Sequence, residues 1–103
     1  MIIGNFYFQQ TENGNLLGEY TNTSIKKIYT EFAIPITNFE IPFIGKFNST
    51  WFEEDNLLII SSILEIEKIS NFKYDLKWKN DNKIIFIGEG FVKDNMLIGF
   101  YKS

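Results

Sequence analysis

The sequence has 103 residues, of which 45% are hydrophobic and 17% aromatic. This composition provides enough apolar surface for one core without disulfides or a metal, so a single domain spanning residues 1–103 is predicted. The formal charge is −3 and all ten basic residues are Lys, so the chain lacks both the basic surface and the Arg side chains that bind nucleic acids. The chain has no His and no Cys, which excludes Ser-His-Asp and Cys-His nucleophiles and the usual zinc sites.

Short apolar segments separated by turn residues run along the chain. Asn, Asp and Gly tolerate left-handed backbone, and they mark turns at Asn13-Gly14, Asp55-Asn56, Asn80-Asp81-Asn82 and Asp94-Asn95. Strands are predicted at residues 2–10, 15–22, 25–34, 44–53, 57–67, 72–79, 83–92 and 96–102. This layout predicts an all-β fold, a small antiparallel up-and-down meander of seven to eight strands that closes, or nearly closes, into a barrel.

The segment from residue 24 to 34 fits two structures. Behind a Ser24 N-cap, four residues recur with the spacing of one helix face: Ile25, Ile28, Tyr29 and Phe32. The same segment is rich in β-branched and aromatic residues, which favour a strand. A short helix and a strand therefore both remain open, and Pro35 discourages either from continuing into the connection predicted at residues 35–45.

Strict alternation of apolar and charged residues is clearest from residue 72 to 78. Phe72, Tyr74, Leu76 and Trp78 share one face of the predicted strand, whereas Lys73, Asp75 and Lys77 share the other. This pattern is typical of an antiparallel sheet with one face toward the core. The apolar side chains are therefore predicted to point inward.

Two segments near opposite ends of the chain repeat one pattern. NGNLLGEY at residues 13–20 and DNMLIGFY at residues 94–101 share a turn, two large aliphatic residues, a Gly and a Tyr at identical spacing. Gly18 and Gly99 lie inside predicted strands, where Gly marks a bulge, a bend or a close backbone approach. Either similar hairpins recruit similar residues, or Tyr20 and Tyr101 form a paired site.

The last third of the chain carries three short motifs in succession. They are Y-x-L-x-W (Tyr74, Leu76, Trp78), G-x-G (Gly88, Gly90) and L-x-G-x-Y (Leu97, Gly99, Tyr101). This pattern resembles the strands of small calycin-type barrels, the lipocalin and avidin group. No lipocalin-type G-x-W stands near the N-terminus, where Gly18-Glu19-Tyr20 is the nearest analogue, and the chain is shorter than typical members. The resemblance implies a ligand held inside the barrel.

Aromatic side chains that also carry a polar atom are the candidate ligand-binding residues, because they suit a pocket wall as well as a core. The candidates are Tyr20, Trp51, Tyr74, Trp78 and Tyr101, with Asn48 and Ser49 beside Trp51 as groups that orient a ligand. The alternative is that these side chains only fill the barrel.

Carboxylates are the remaining candidates for acid–base chemistry, which would require one of them in an apolar site with a raised pKa. Glu53, Glu54 and Asp55 adjoin a turn, and Glu65 and Glu67 follow the end of an apolar strand face, so both groups are predicted to reach water. The sequence thus predicts neither an enzyme nor a bound cofactor or metal.

Two functions remain. The first is a non-enzymatic, lipocalin-like barrel that holds a small apolar or aromatic ligand, and the second is a small acidic protein-binding module such as an inhibitor, an immunity protein or an anti-defence protein.

The N-terminal residues lack the features of a signal peptide, and the longest apolar run, residues 57–66, is about half of the ~20 residues that span a bilayer. We therefore expect a cytoplasmic protein without a membrane partner, which could form homo-oligomers through open strand edges.

Overall fold

The structure, a computed structural model, describes residues 1–36, 41–53 and 58–103. It contains the strands β1 (Ile3–Gln10), β2 (Leu16–Asn22), β3 (Tyr29–Pro35), β4 (Gly45–Glu53), β5 (Leu58–Ser70), β6 (Lys73–Asn80), β7 (Lys83–Lys93) and β8 (Met96–Lys102). Each strand pairs antiparallel with the next, and β8 pairs with β1, which closes the barrel. The all-β, up-and-down barrel is therefore confirmed. No helix long and apolar enough to cross a membrane occurs among these residues.

Two-residue turns connect β6 to β7 and β7 to β8. Asp81 and Asn82 have φ angles of 50° and 64°, and Asp94 and Asn95 have φ angles of 52° and 62°. Two successive left-handed residues are typical of type I′ turns, whose twist matches that of the flanking strands. Both turn predictions are confirmed, whereas the turn predicted at residues 55–56 lies outside the described residues.

The segment with two open alternatives forms a strand in its second half. β3 begins at Tyr29, and residues 23–28 connect it to β2. The helix spacing does not mark a buried face, because Ile28 is 67% exposed. Inward positions on β3 belong instead to Tyr29, Glu31 and Ala33, which alternate with exposed or half-buried neighbours.

The prediction that Phe72 points inward is wrong. Phe72 lies in the turn before β6 begins at Lys73, and its side chain is 85% exposed. The alternation holds for the residues that follow, since Leu76 and Trp78 are buried and Tyr74 packs half-buried against the core. Only a residue inside the paired strand has the alternating orientation that the sheet imposes.

The barrel has two different ends. At one, the Phe43 end, buried Phe43 donates its backbone N–H to Gln10 Oε1 at 2.7 Å, and Gln10 Nε2 donates to the Gly14 carbonyl at 3.0 Å. At the other, the terminal end, the backbone N–H of Ser103 donates to the carbonyl of Ile2 at 2.9 Å. The strands β1, β3, β5 and β7 end at the Phe43 end, and β2, β4, β6 and β8 end at the terminal end.

Apolar side chains fill most of the interior, and three polar ones interrupt them. The buried apolar residues are Phe6, Phe8, Leu16, Tyr20, Ala33, Phe43, Phe47, Trp51, Leu64, Ile66, Leu76, Trp78, Leu97 and Tyr101. The buried polar residues in the described part of the chain are Glu31, Ser49 and Ser62, on the adjacent strands β3, β4 and β5. Buried polar groups need hydrogen-bond partners, which apolar side chains do not provide. Core packing alone therefore does not explain why these three polar residues are buried.

The repeated pattern of residues 13–20 and 94–101 forms β2 and β8, the two strands that flank β1. A Cβ atom on Gly18 would stand 1.9 Å from the carbonyl oxygen of Tyr7, and one on Gly99 would stand 2.0 Å from that of Glu89. Real Cβ contacts are never this short. Both glycines therefore allow a neighbouring strand to approach closely.

Replacing either glycine by alanine should destabilise the barrel. We expect Gly18→Ala and Gly99→Ala each to lower the free energy of unfolding by about 1–3 kcal/mol, because the added methyl must displace backbone. Urea unfolding followed by circular dichroism measures the change. The control is Asn5→Ala, at an exposed position of β1, which should change stability by no more than about 0.5 kcal/mol. Unchanged stability in both glycine variants would contradict the close-approach explanation.

Candidate functional site

An aromatic cleft opens at the terminal end of the barrel. Its lining consists of Tyr20, Asn22, Glu31, Trp51, Glu53, Trp78, Phe86 and Tyr101, and its cavity volume is about 20 Å³. Asn22, Glu53 and Phe86 are half-buried and form the rim, whereas the other five are buried. The cleft is thus a narrow opening into the barrel and is walled mainly by rings.

Glu31 is the carboxylate in the floor of the cleft. One of its oxygens, Oε2, accepts a hydrogen bond from Ser49 Oγ at 2.5 Å and another from Trp78 Nε1 at 2.8 Å. Among the described residues, no hydrogen bond reaches the other oxygen, Oε1. The residue is only 4% exposed, so its two donors replace part of the hydration that burial removes.

Burial raises the pKa of Glu31 to about 7, although the hydrogen bonds from Ser49 and Trp78 act in the opposite direction. Removing a carboxylate from water disfavours its charged form, whereas hydrogen-bond donors favour it. The floor of the cleft therefore changes charge near neutral pH.

The polar atoms of the aromatic side chains in the cleft already form hydrogen bonds within the protein. Tyr20 Oη donates to the carbonyl of Phe52 at 2.8 Å, and Trp51 Nε1 donates to Glu53 Oε1 at 3.2 Å. Tyr101 Oη accepts from Asn22 Nδ2 at 2.9 Å. The surface left for a ligand is therefore mostly ring carbon together with carboxylate oxygen.

The two tyrosines of the repeated pattern meet in this cleft. The ring centroids of Tyr20 and Tyr101 are 6.4 Å apart, with the planes at 71°. Burial raises the pKa of both hydroxyls, that of Tyr101 to about 12, and the nearby carboxylates add to the effect. Both therefore stay neutral at physiological pH, and their shared position arises because β2 and β8 flank the same strand.

Four of the seven candidate residues line the cleft, namely Tyr20, Trp51, Trp78 and Tyr101. Ser49 lies beneath it and holds Glu31. The structure does not bring the other two to the cleft. Asn48 is exposed on the outer face of β4, because it alternates with inward Ser49, and Tyr74 lies four residues before Trp78, about 13 Å away toward the Phe43 end.

Sequence reasoning missed Glu31, Asn22 and Phe86 as lining residues, and considered Glu53 only as part of a turn. Phe86 lies opposite Trp78 beside a β-bulge, where the pairing shifts by one residue between Trp78 and Lys79. Bulges redirect side chains, and turn signals do not predict them. The sequence contains one weak indication that Glu31 points inward, since this residue occupies the same strand face as Tyr29 and Ala33.

The carboxylates considered from the sequence lie elsewhere. Glu65, on the outer face of β5, accepts a hydrogen bond from Lys79 Nζ at 3.1 Å through Oε1, and its Oε2 lies 2.8 Å from the same nitrogen as an ion pair. This contact lowers the pKa of the Glu65 carboxyl. Glu67 is exposed, and Glu54 and Asp55 lie outside the described residues. Across the described chain, no group of three or more acidic residues is arranged to hold a metal ion.

Comparisons with protein-family models, curated proteins and solved structures found no match to this chain. The closed eight-stranded barrel is consistent with a calycin-like fold. Assignment to the lipocalin and avidin group rests on the sequence pattern alone and stays a prediction.

Replacing Glu31 by glutamine should change how stability depends on pH. The pKa of Glu31 is about 7 in the folded state and near 4.5 otherwise, so the folded state holds the proton more tightly. As the pH rises from 4.5 to 7, the unfolded state loses its proton first and the free energy of unfolding falls, by about 3 kcal/mol in total, before levelling off. Glu31→Gln lacks this fall, so its stability relative to the original chain should increase over that interval.

Urea unfolding at pH 5, 6, 7 and 8 measures this difference. Glu67→Gln removes a carboxylate from an exposed position and should follow the pH dependence of the original chain. If the free energy of unfolding depends on pH in the same way for Glu31→Gln and for the original chain, burial does not raise the pKa of Glu31.

Proposed function

We propose that this protein is a non-enzymatic binding protein whose cleft at the terminal end of the barrel receives one end of a small ligand. The observation that carries the proposal is the combination of five aromatic rings with one buried carboxylate in a cleft that reaches solvent. Binding sites are typically apolar concavities with a few polar groups that fix orientation. This cleft has that composition on a small scale.

The size of the cleft limits what enters it. Typical ligand pockets measure roughly 300–1,000 Å³, and a single water needs roughly 10–15 Å³. A cavity of about 20 Å³ does not enclose a whole apolar or aromatic molecule. The proposal therefore departs from the sequence-based expectation of a fully enclosed ligand, because only a terminal group enters while the remainder stays outside the rim.

The same size argues against catalysis by Glu31. A buried carboxyl with a pKa near 7 has the property expected of a general acid or base. A substrate bond would have to reach this carboxyl together with a second reacting group, and the space above it, about 20 Å³, is about what one or two waters need. Binding therefore accounts for the cleft better than turnover does.

Small fragments should perturb the two indoles of the protein, since Trp51 and Trp78 both line the cleft and are the only tryptophans of the sequence. We expect at least one member of a panel of neutral, cationic and anionic fragments below ten heavy atoms to shift both indole N–H cross-peaks saturably in ¹⁵N–¹H correlation spectra.

The Phe72→Trp variant adds a third indole at the exposed turn of the Phe43 end and reports non-specific effects. Its cross-peak should stay in place while the other two move. If no fragment shifts Trp51 or Trp78, or if all three indoles move together, the proposed function is wrong.

A second candidate, protein binding, is favoured by an exposed apolar stripe on the outer face of β7, β8 and β1. Phe91, Phe100 and Ile3 on these strands are 48%, 49% and 52% exposed. The register places Phe91 opposite Ile98, and Ile98 opposite Tyr7, so these three residues are contiguous. Phe100 follows Ile98 on the same face of β8, opposite Glu89 and Asn5, and Ile3 lies opposite Lys102. Exposed apolar patches of this kind mark interaction surfaces. Open strand edges offer no alternative route, because each described strand is paired on both sides.

If the partner is a second copy of this chain, sedimentation velocity should show a dimer whose population rises with concentration. The Phe91→Lys/Phe100→Lys double variant should then remain monomeric, since two charges on the stripe oppose its burial. Phe72→Lys, at an exposed site outside the stripe, is the control and should dimerise like the original chain. Monomers at all concentrations in the original chain would exclude self-association through this face.

A further inference from the structure

We propose that the terminal group which the cleft recognises is a primary alkylammonium, so that the ligand is a small amine. This inference rests on the proposed function and names its ligand class. It follows from the charge of the lining, from the surface that the rings present and from the Glu31 oxygen that accepts no hydrogen bond from the described residues.

The charge of the lining favours a cation. Glu31 lies in the floor and Glu53 at the rim, and no Lys lines the cleft in the part of the chain that the structure describes. Tyr20 and Tyr101 are neutral, since the ordinary pKa of a tyrosine is already well above neutral pH and burial raises it further. A lining whose described residues include two carboxylates and no Lys repels an anion and attracts an ammonium, and the partly dry surroundings weaken this interaction less than water would.

The rings provide a second attraction for a cation. Tyr20, Trp51, Trp78, Phe86 and Tyr101 surround the cavity, and neighbouring centroids lie 5.4 Å apart for Phe86 and Tyr101 and 6.2 Å apart for Trp51 and Phe86. Aromatic faces attract cations, and Trp does so most strongly. Since the hydroxyl and indole groups already bond within the protein, the rings offer few hydrogen bonds to a neutral polar ligand.

Hydrogen bonding distinguishes a primary ammonium from a quaternary one. Glu31 Oε2 already accepts two hydrogen bonds, whereas Oε1 accepts none from the described residues. A primary ammonium has three N–H donors and satisfies this oxygen, but a quaternary ammonium has none. A volume of about 20 Å³ also suits a CH₂–NH₃⁺ group and is too small for a trimethylammonium head.

The test compares n-propylammonium with 1-propanol and propionate, which are similar in size but neutral or anionic. Titrations are run at pH 8, where Glu31 is ionised, with NaCl keeping the ionic strength constant, and the indole cross-peaks of Trp51 and Trp78 are followed. We expect saturable shifts with an apparent Kd for n-propylammonium at least tenfold below that for 1-propanol, and no saturable shift with propionate. Tetramethylammonium should bind at least tenfold more weakly than n-propylammonium.

Variants assign the effect to the floor of the cleft. Glu31→Gln should weaken n-propylammonium binding at least tenfold and leave 1-propanol binding unchanged, whereas Glu67→Gln, which removes the same charge from the outer surface, should bind like the original chain. If Glu31→Gln does not fold, Glu53→Gln at the rim replaces it, and weakened binding of n-propylammonium alone is again expected. Equal losses in the Glu31 or Glu53 variant and in Glu67→Gln would overturn the proposal, since net charge alone would then explain binding.

Failure of this inference differs from failure of the proposed function. If 1-propanol or propionate binds as tightly as n-propylammonium, the ammonium assignment is wrong while small-ligand binding stands. If tetramethylammonium binds more tightly than n-propylammonium, the primary ammonium is wrong. If no fragment of any charge shifts either cleft indole, small-ligand binding itself fails.

Discussion

Pairing of β1 with β8 is the constraint on which the rest of the structure depends. Every other strand pair joins neighbours in the sequence, whereas this one joins Ile3 to Lys102 and Gln9 to Met96. It removes the last sheet edges and encloses the inward side chains, and eight strands leave an interior that side chains nearly fill. The cleft exists because this filling is incomplete at the terminal end, where β2 and β8 place their tyrosines on either side of β1.

The interior is not uniformly apolar, and Glu31, the one buried carboxylate among the described residues, is costly to bury. Glu31 is almost completely inaccessible, and Ser49 and Trp78 compensate only partly for its lost hydration. A packed core of this size does not need such a residue, since an apolar side chain would be more stable in its place. Local features that oppose stability are expected at functional sites, and this residue is the clearest of them in the described part of the barrel.

The fold was largely predictable from sequence, but the cleft was only partly so. Turn residues and alternation located the strands, because a hairpin depends on a few neighbouring residues. The face of β3 was not predictable, since both faces carry apolar residues. Phe32 and Ile34 are more apolar than Glu31 and would be expected to point inward. Pairing with β2 and β4 instead sets Ala33 opposite the inward residues Leu16 and Ser49, so Glu31, on the same face as Ala33, also points inward. Alternation could have excluded Asn48, which has the opposite parity to Trp51.

The type I′ turns at residues 81–82 and 94–95 also bear on the order in which the barrel folds. They join β6, β7 and β8 through contacts that are local in sequence, and such contacts form quickly because little loop entropy is lost. The pairing of β1 with β8 joins residues nearly the whole chain apart, so we expect it to form last. Tyr20 and Tyr101 lie on the two strands that flank β1, so a partly folded chain with intact hairpins but with β1 and β8 unpaired has no cleft.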